Sequence, residues 1–181
     1  NRLASDLIRK YMKHITIKRA EQSDVDAIME LMQEAVDTVK VSDWFLPDDR
    51  QYVSEHIIDR GFTLKAVNSS NEILGFFIVD FPERSKHNLG YDLDYNDDKI
   101  RKVAHMDYAV VTSKARGLGL QRRFFEEAEK QLEDTPYEYF LGTVHPDNIY
   151  SRTNFLKAGY REARRMSKYG GMQRIIMEKE K

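Results

Sequence analysis

The chain has 181 residues, is 41% hydrophobic and 33% charged, and carries a formal net charge of −1. This length fits one domain with its own hydrophobic core, and the near-neutral charge gives no indication of electrostatic binding to nucleic acid. No apolar run approaches the roughly 18 residues that cross a bilayer, and residues 1–11 lack the apolar centre of a signal peptide. We therefore expect a cytoplasmic protein that binds neither nucleic acid nor membrane.

The chain contains no cysteine, which excludes disulfides, thiolate metal ligands and a cysteine nucleophile. We expect no metal site either, because the histidines form no closely spaced ligand pair. The five histidines are His14, His56, His87, His105 and His145.

Residues 1–13 are interpreted as an N-terminal extension, for which a helix is one option, and residues 14–181 as a single domain. The sequence begins with Asn1 and also contains Met12. It leaves open whether Met12 is the native initiator and residues 1–11 an upstream leftover.

In the first half of the chain, strands are predicted from alternating apolar residues and helices from apolar residues at a spacing of three or four. Ser23 or Asp24 is expected to cap the first of these helices. The predicted elements are a strand at 15–19, a helix at 25–39, a helix from Pro47 to Gly61, and strands at 62–67 and 72–80 joined by a turn.

The second half begins with a long polar segment at 81–101, which contains the acidic run at 92–98. A loop of this length in a compact domain is usually functional or mobile. The predicted elements are a short helix at 97–102, a strand at 103–112, a helix at 117–133, a strand at 137–144, a helix at 148–158, and strands at 160–166 and 174–178.

The most informative stretch is Thr112–Arg122, which joins a predicted strand to a predicted helix through Gly117 and Gly119. Backbone N–H groups and the positive end of the helix dipole then converge on one point, which favours a phosphate or pyrophosphate. A simple turn is the alternative. The stretch is neither a dinucleotide fingerprint, since residue 122 is arginine, nor a P-loop.

Two motifs in this element order resemble the GNAT superfamily of acyl-CoA N-acyltransferases, over roughly residues 14–179. Arg116-Gly-Leu-Gly-Leu-Gln121 is similar to the family's Gln/Arg-x-x-Gly-x-Gly/Ala pyrophosphate loop. Asn148-Ile-Tyr-Ser151, followed by Phe155-Leu-Lys-Ala-Gly-Tyr160, is similar to its Asn-x-x-Ala/Ser…Tyr-x-x-x-Gly-Phe/Tyr segment. Gln121 departs from the first motif, so its side chain must point away from the phosphate or bond to it.

The resemblance implies an α/β (α+β) fold with a mixed, mainly antiparallel sheet of six to seven strands, flanked by about four helices. It implies a splay between strands four and five, where the pantetheine of acetyl-CoA enters and hydrogen-bonds like an added strand. A backbone N–H near Val110 or Val111 would face the thioester carbonyl, and Asn148 would contact the pantetheine. The implied cofactor-binding residues are Val110, Val111, Arg116, Gly117, Leu118, Gly119, Leu120, Gln121, Arg122, Asn148 and Ser151.

The catalytic candidates on the fourth strand are Asp107 and His105. With a side-chain period of two, His105, Asp107, Ala109 and Val111 are expected on one face. Asp107 occupies the position at which the family often has a glutamate base, and an unperturbed histidine titrates near ~6.5. A satisfied structural pair or an exposed strand end is the alternative.

The general acid is harder to assign, because Phe155 stands where many family members have a tyrosine that protonates the leaving thiolate. Tyr150, Tyr160 or a water would have to serve, or the thiolate leaves unaided. His145 is a second base candidate. Trp44, Phe45 and Tyr52 are assigned to the core or to the acceptor-site wall, and the acidic run at 92–98 to solvent or to attraction of a cationic amine.

The expected function is transfer of an acetyl group from acetyl-CoA to a primary amine by direct attack in a ternary complex, without a metal. A catalytically silent acyl-CoA-binding or regulatory module on the same fold is the rival, favoured by Phe155. A nucleotide-binding protein that uses the same loop is a third alternative. The acceptor is a small molecule or a peptide, and a homodimer is left open.

Overall fold

The computed structural model describes residues 2–181, which form a seven-stranded sheet with six helices. The helices are α1 (Arg2–Met12), α2 (Val25–Thr38), α3 (Arg50–Ile58), α4 (Asp97–Ile100), α5 (Leu120–Leu132) and α6 (Ile149–Lys157). The strands are β1 (Thr16–Arg19), β2 (Gly61–Val67), β3 (Ile73–Asp80), β4 (Val103–Val111), β5 (Tyr139–Val144), β6 (Arg161–Lys168) and β7 (Met172–Glu180).

The sheet has the order β1-β2-β3-β4-β5-β7-β6. Neighbouring strands are antiparallel except for β4 and β5, which run parallel because α5 carries the chain back across the sheet between them. The predicted fold class, with a mixed and mainly antiparallel sheet, is confirmed. The predicted order of elements is confirmed as well, although α3 begins at Arg50 rather than at Pro47.

Helices cover both faces of the sheet. On one face, α5 buries Phe124, Ala128 and Leu132, and the ring of Phe124 stacks on that of Phe77 at 5.9 Å. On the opposite face, α2 buries Ile28 and Met32 in a second cluster. These residues recur every three or four positions along each helix, so their side chains form one apolar stripe that faces the sheet.

The N-terminal helix α1 has no buried residue. Its apolar side chains include Leu3 and Leu7, which are 75% and 64% exposed. Within residues 2–181, no helix combines the length and the apolar character that crossing a membrane requires.

Candidate functional site

The parallel pairing between β4 and β5 is short. It runs from Val103 opposite Tyr139 to His105 opposite Leu141, although β4 continues to Val111 and β5 to Val144. Over this second half, β4 pairs with β3 on its other side, and β5 pairs with β7. The predicted splay between strands four and five is therefore confirmed, and two strand edges face each other across a gap.

An aromatic ring lies where the splay begins. A Cβ built on Gly142 of β5 would lie 2.7 Å from Cζ of Phe155 and 2.9 Å from the carbonyl oxygen of Met106. Phe155 is buried and packs edge-on against Phe125 and Tyr160. Only glycine fits at position 142, because the ring from α6 and the β4 backbone occupy the space of any larger side chain.

The gap opens into a cleft of about 530 Å³. Its walls come from β4 and β5, from the turn that precedes α5, from the first turn of α6, and from the segment between α2 and α3. Nine of the eleven predicted cofactor-binding residues line it: Val110, Val111, Arg116, Gly117, Gly119, Leu120, Gln121, Asn148 and Ser151.

The glycine turn before α5 leaves backbone donors free. Gly117 and Gly119 have φ angles of +78° and +74°, a region that disfavours other residues. Gly119 directly precedes α5, and no side chain caps this end of the helix. The N–H groups of the first helical turn are thus available to a ligand, at the positive end of the helix dipole.

Arg116 adds a positive charge beside this turn. Its Nη2 donates a hydrogen bond to Oγ1 of Thr38 at the end of α2, at 3.1 Å. At the start of the turn, Glu34 of α2 accepts hydrogen bonds from the Ser113 N–H at 2.9 Å and from the Thr112 hydroxyl. The bond from the Ser113 N–H is the main reason that the pKa of Glu34 is lowered. Contacts with α2 therefore hold the segment 112–116, which leads into the two glycines.

Two of the predicted cofactor-binding residues lie outside the lining of the cleft. Leu118 packs against the hydrophobic cluster beneath α5. Arg122 is on the exposed side of α5, where its Nε is 2.9 Å from Oε1 of Glu126 one turn further on. Both side chains therefore lie outside the cleft.

The side chains of Gln121 and Asn148 are both engaged within the protein. Gln121 accepts a hydrogen bond from Nδ2 of Asn154, so its side chain points towards α6 and ties α5 to that helix. Asn148 caps α6, because its Oδ1 accepts a hydrogen bond from the Ser151 N–H at 3.3 Å. The capping role does not move Asn148 out of the cleft, and its contact with pantetheine stays a prediction.

The edge of β4 offers Val111, rather than Val110, to the gap. The N–H of Thr112 donates to the carbonyl of Leu74 on the β3 side, at 2.8 Å. Backbone hydrogen-bonding groups alternate between the two sides of a strand. The N–H of Val110 therefore also faces β3, and the N–H of Val111 faces the opposite edge. That N–H is the donor available for a carbonyl oxygen in the cleft.

A β-bulge interrupts β4 at Asp107. Met106 lies opposite Val79 and Tyr108 opposite Ile78, so Asp107 has no partner on β3. The alternation of faces therefore changes at this residue. Within β4, the α5 side holds Ala104 and Met106 before the bulge, and Ala109 and Val111 after it.

The expectation that His105, Asp107, Ala109 and Val111 share one face is thus wrong. Ala109 and Val111 pack on the α5 side, whereas His105 and Asp107 lie on the opposite side, with contacts to Asp80 and Tyr52. A strict period of two holds only for a strand without an inserted residue.

Asp107 lines the cleft and accepts a hydrogen bond from the hydroxyl of Tyr52 in α3. Burial raises the pKa of Asp107 to about 6, with a smaller contribution from the charge of Asp80, while the bond from Tyr52 acts in the opposite direction. A carboxylate that titrates near neutrality and borders a cleft can accept a proton at physiological pH.

His105 lies beside this group but does not line the cleft. Its Nε2 accepts a hydrogen bond from the Leu89 N–H at 3.1 Å, and its Nδ1 is 3.0 Å from Oδ2 of Asp80. The proton of the neutral ring must therefore be on Nδ1, and both ring nitrogens are engaged. This geometry is that of the structural pair that was the alternative for His105.

The remaining acid and base candidates differ in access to the cleft. Tyr150 lines it and is 59% exposed. Tyr160 is 3% exposed and lies outside the lining; burial, assisted by the charge of Glu129, raises its pKa. His145 accepts the Asp147 N–H at Nδ1 and holds Nε2 3.6 Å from Asp43, also outside the lining. Of the three, only Tyr150 reaches the site.

The acidic run at 92–98 is paired with basic side chains away from the cleft. Lys168 contacts Asp92 at 2.5 Å, Arg164 contacts Asp94 at 3.3 Å, and Arg84 contacts Asp97 at 2.8 Å. These pairs neutralise the run, and they do not support its proposed attraction of a cationic amine. Within residues 2–181, no three His, Asp or Glu side chains form a group suited to a metal ion.

The residues around Asp107 that the sequence analysis missed are Tyr52 as a hydrogen-bond donor, His56, Asp80 and Asp48. Tyr52 and His56 are four residues apart on a predicted helix, a spacing that places two side chains on the same face. This spacing could have paired them. Asp80 and Asp48 carry no such signal, because Asp80 ends β3 and Asp48 lies in the segment before α3, and they meet the others only in the folded chain.

No family model and no curated protein matches the chain. Solved structures do match it. A GNAT-family acetyltransferase from Listeria monocytogenes superposes with a TM-score of 0.68 at 17% identity, over 92% of this chain and 94% of the other. A ribosomal-protein-alanine N-acetyltransferase from Brucella melitensis gives a TM-score of 0.70 at 16% identity, over 91% and 99%.

A phosphinothricin acetyltransferase from Sinorhizobium meliloti, solved in complex with AcCoA, gives a TM-score of 0.69 at 14% identity, over 92% of this chain and 88% of the other. These TM-scores establish a shared architecture, and the low sequence identities leave the reaction of this chain open. The chain has the fold of the GNAT N-acetyltransferases.

Proposed function

We propose that this protein transfers the acetyl group of acetyl-CoA to a primary amine. The observation that carries the proposal is that the gap between β4 and β5 and the uncapped start of α5 line the same cleft. One cleft thus combines a backbone edge for an extended chain with an anion site at its end, and acetyl-CoA has these two parts in the same order.

In this proposal the pyrophosphate binds the N–H groups that follow Gly119, with Arg116 beside it. The pantetheine lies along the open edge of β4. The N–H of Val111 donates to the thioester carbonyl oxygen, whose negative charge grows as the amine adds to the carbon. A fixed donor of this kind stabilises the transition state more than the ground state.

Asp107 acts as the general base. It takes a proton from the acceptor's ammonium group or from the attacking amine, the nitrogen forms a bond to the carbonyl carbon, and the carbon–sulfur bond breaks. The CoA thiolate leaves and takes up a proton from Tyr150 or from water, because Phe155 has none to give. Direct attack fits a chain without cysteine.

The test is release of CoA thiol from acetyl-CoA in the presence of a panel of amines: alkylamines, arylalkylamines, polyamines, amino acids and N-terminal peptides. With a working acceptor, Asp107→Asn should lower turnover by about 10²–10⁴. Its dissociation constant for acetyl-CoA should stay within a factor of two, because the carboxylate lies at the acceptor end of the cleft. Full turnover in this variant would remove Asp107 from the reaction.

A catalytically silent acyl-CoA-binding module is the second candidate, and the observation that favours it is the buried ring of Phe155 in place of an acidic hydroxyl. It predicts tight acetyl-CoA binding and no thiol release with any amine of the panel. Preferential binding of ATP or NAD would instead indicate a nucleotide-binding protein.

A further inference from the structure

We propose that Tyr52 is a positioning residue for the acetyl transfer: its hydroxyl holds one oxygen of Asp107 and thereby presents the other oxygen to the acceptor amine. This inference rests on the proposed function. It assigns a role to α3, which packs on β2, β3 and α2.

The need for such a residue follows from the bulge in β4. Asp107 is the inserted residue, so no partner on β3 fixes its backbone through a regular pair of hydrogen bonds. A short carboxylate on a strand edge, without another contact, would sample several rotamers. The hydroxyl of Tyr52 donates a hydrogen bond to Oδ2 of Asp107 and so supplies this contact.

Tyr52 itself is fixed by three further contacts. Its N–H donates to Oδ1 of Asp49, which caps α3, at 2.9 Å. Its ring stacks on that of His56, with 3.9 Å between the centroids and 27° between the planes. Its carbonyl oxygen is 2.7 Å from Nδ1 of His56. Tyr52 can therefore hold Asp107 in one orientation, because the two backbone bonds fix its place in α3 and its ring cannot swing away without losing the stacking on His56.

The protonation state of His56 follows from its partners. Nδ1 faces the carbonyl oxygen of Tyr52, and Nε2 faces Oδ1 of Asp80 at 2.7 Å. Both partners are acceptors, so both nitrogens must carry a proton and the ring is an imidazolium. Burial alone would lower the pKa of His56, but its bonds to Asp80 and to the Tyr52 carbonyl raise it.

The same bonds explain the charge of Asp80. Burial would raise its pKa, but the hydrogen bonds from His105 and His56 outweigh burial and lower the pKa to about 2. The imidazolium and this carboxylate form a balanced pair beside Tyr52. Asp107 is thus left as the ionisable group of this network that both borders the cleft and titrates near neutrality.

Several titratable groups surround Asp107. Tyr52 and His56 approach from α3, Asp80 from β3, and His105 and Tyr108 from β4, while Asp48 approaches from the segment before α3 and accepts a hydrogen bond from Tyr108 at 3.1 Å. Of these groups, Tyr52 is the one bonded directly to Asp107. Removing its hydroxyl should therefore change Asp107 while the other pairs keep their partners.

The test is Tyr52→Phe, which keeps the ring on His56 and removes only the donor. Carbon-13 NMR of labelled aspartate carboxyl groups, with the Asp107 signal assigned by its loss in Asp107→Asn, measures the titration without turnover. We expect the pKa of Asp107 to rise by about one unit, because a hydrogen bond to the charged form is lost. On a working acceptor, the acidic limb of kcat/KM should move by the same amount.

Loss of positioning adds a second effect. The plateau of kcat should fall by about tenfold, because the freed carboxylate leaves its productive orientation. The KM for acetyl-CoA should not change. A merely structural role for Tyr52 would lower thermal stability and leave both the pKa of Asp107 and the pH profile where they are.

Tyr137→Phe is the matched control. Tyr137 stacks on Phe81 with 3.9 Å between the centroids and donates to Oε1 of Glu83 at 2.6 Å, away from the cleft. Like Tyr52→Phe, this variant removes one hydrogen bond from a stacked tyrosine to a carboxylate. Neither the pKa of Asp107 nor the pH profile should change.

The outcomes separate this proposal from the proposed function. An unchanged Asp107 pKa in Tyr52→Phe overturns the positioning role, whether or not the protein turns over. A raised pKa with an unchanged pH profile on a working acceptor also overturns it, because the bond then has no part in the reaction. A raised pKa without thiol release from any amine rejects the transferase, and the positioning role falls with it.

Discussion

Replacement of Gly119 by aspartate tests the anion site at the start of α5 directly. Gly119 has a φ of +74°, and a Cβ built on it meets no atom within 4 Å. An aspartate side chain therefore fits without a clash, beside the unpaired N–H groups of the first helical turn. Its carboxylate should bond to these groups and occupy the place of the pyrophosphate.

Three free energies determine the result. A non-glycine residue in the left-handed region costs about 1–2 kcal/mol, of which a carboxylate at a helix start recovers about 0.3–1 kcal/mol. Acetyl-CoA at 100 times its dissociation constant stabilises the parent by about 2.7 kcal/mol. For a chain of this size that is a rise in melting temperature of roughly 5–10 °C, which Gly119→Asp should lose.

Thermal unfolding with and without acetyl-CoA is the assay, and the turn between β6 and β7 provides the control. Gly170 has a φ of +80° and equally open surroundings, and it lies outside the cleft. Gly170→Asp should incur the backbone cost without recovering any of it, and it should keep the full ligand shift. Gly119→Ala separates backbone strain from charge, and it should retain most of the shift.

The reasoning fails if Gly119→Asp shows the parent's shift, because the pyrophosphate then binds elsewhere. It also fails if the shift disappears equally in Gly170→Asp. The effect would in that case report strain rather than occupation of the anion site.

Further expectations concern stability. The pKa of Asp107 is about 6 in the folded protein against 3.8 for the unperturbed group. The folded state therefore binds more protons between these values, and the parent loses stability as pH rises from about 4 to 6. In urea unfolding at pH 8, Asp107→Asn should be more stable than the parent by on the order of 1–3 kcal/mol, and equal stability would contradict the raised pKa. The pKa of His56 is raised from 6.5, so the parent should also lose stability as pH rises above that value, and a series of unfolding curves should show no such loss in His56→Gln. Gly142→Ala should lower the free energy of unfolding by about 1–3 kcal/mol, because the new methyl group overlaps Phe155, and an unchanged melting temperature would show that the ring can move aside.

The sequence was a good guide wherever local patterns decide the structure. The glycine turn at 117–119, the helix after it and the strand before it were all predicted, because glycine, helical spacing and strand alternation each act over a few residues. The splay between β4 and β5 followed from the family resemblance, since no local pattern marks it.

The bulge at Asp107 was not predictable in this way. It arises from the register between β3 and β4, and a one-residue change of register moves every later side chain to the other face. For the same reason the sequence could not separate His105, which binds Leu89 and Asp80, from Asp107, which borders the cleft. Asp80 and Tyr52 come from distant segments, and only the packing of α3 on the sheet brings them together.

The short ladder between β4 and β5 also affects how the molecule opens. Within residues 2–181, the ladder between the two halves of the sheet has three residue pairs, from Val103 to His105 on β4, and the N–H groups of Glu138 and Tyr139 extend it to the carbonyl of Lys102. In the free protein, amides at the gap, such as that of Val111, should therefore exchange with solvent by local separation of the strands rather than by global unfolding. A ligand that spans the gap would oppose this local opening, so slowed amide exchange along both strands would report occupancy of the cleft even when no acceptor is known.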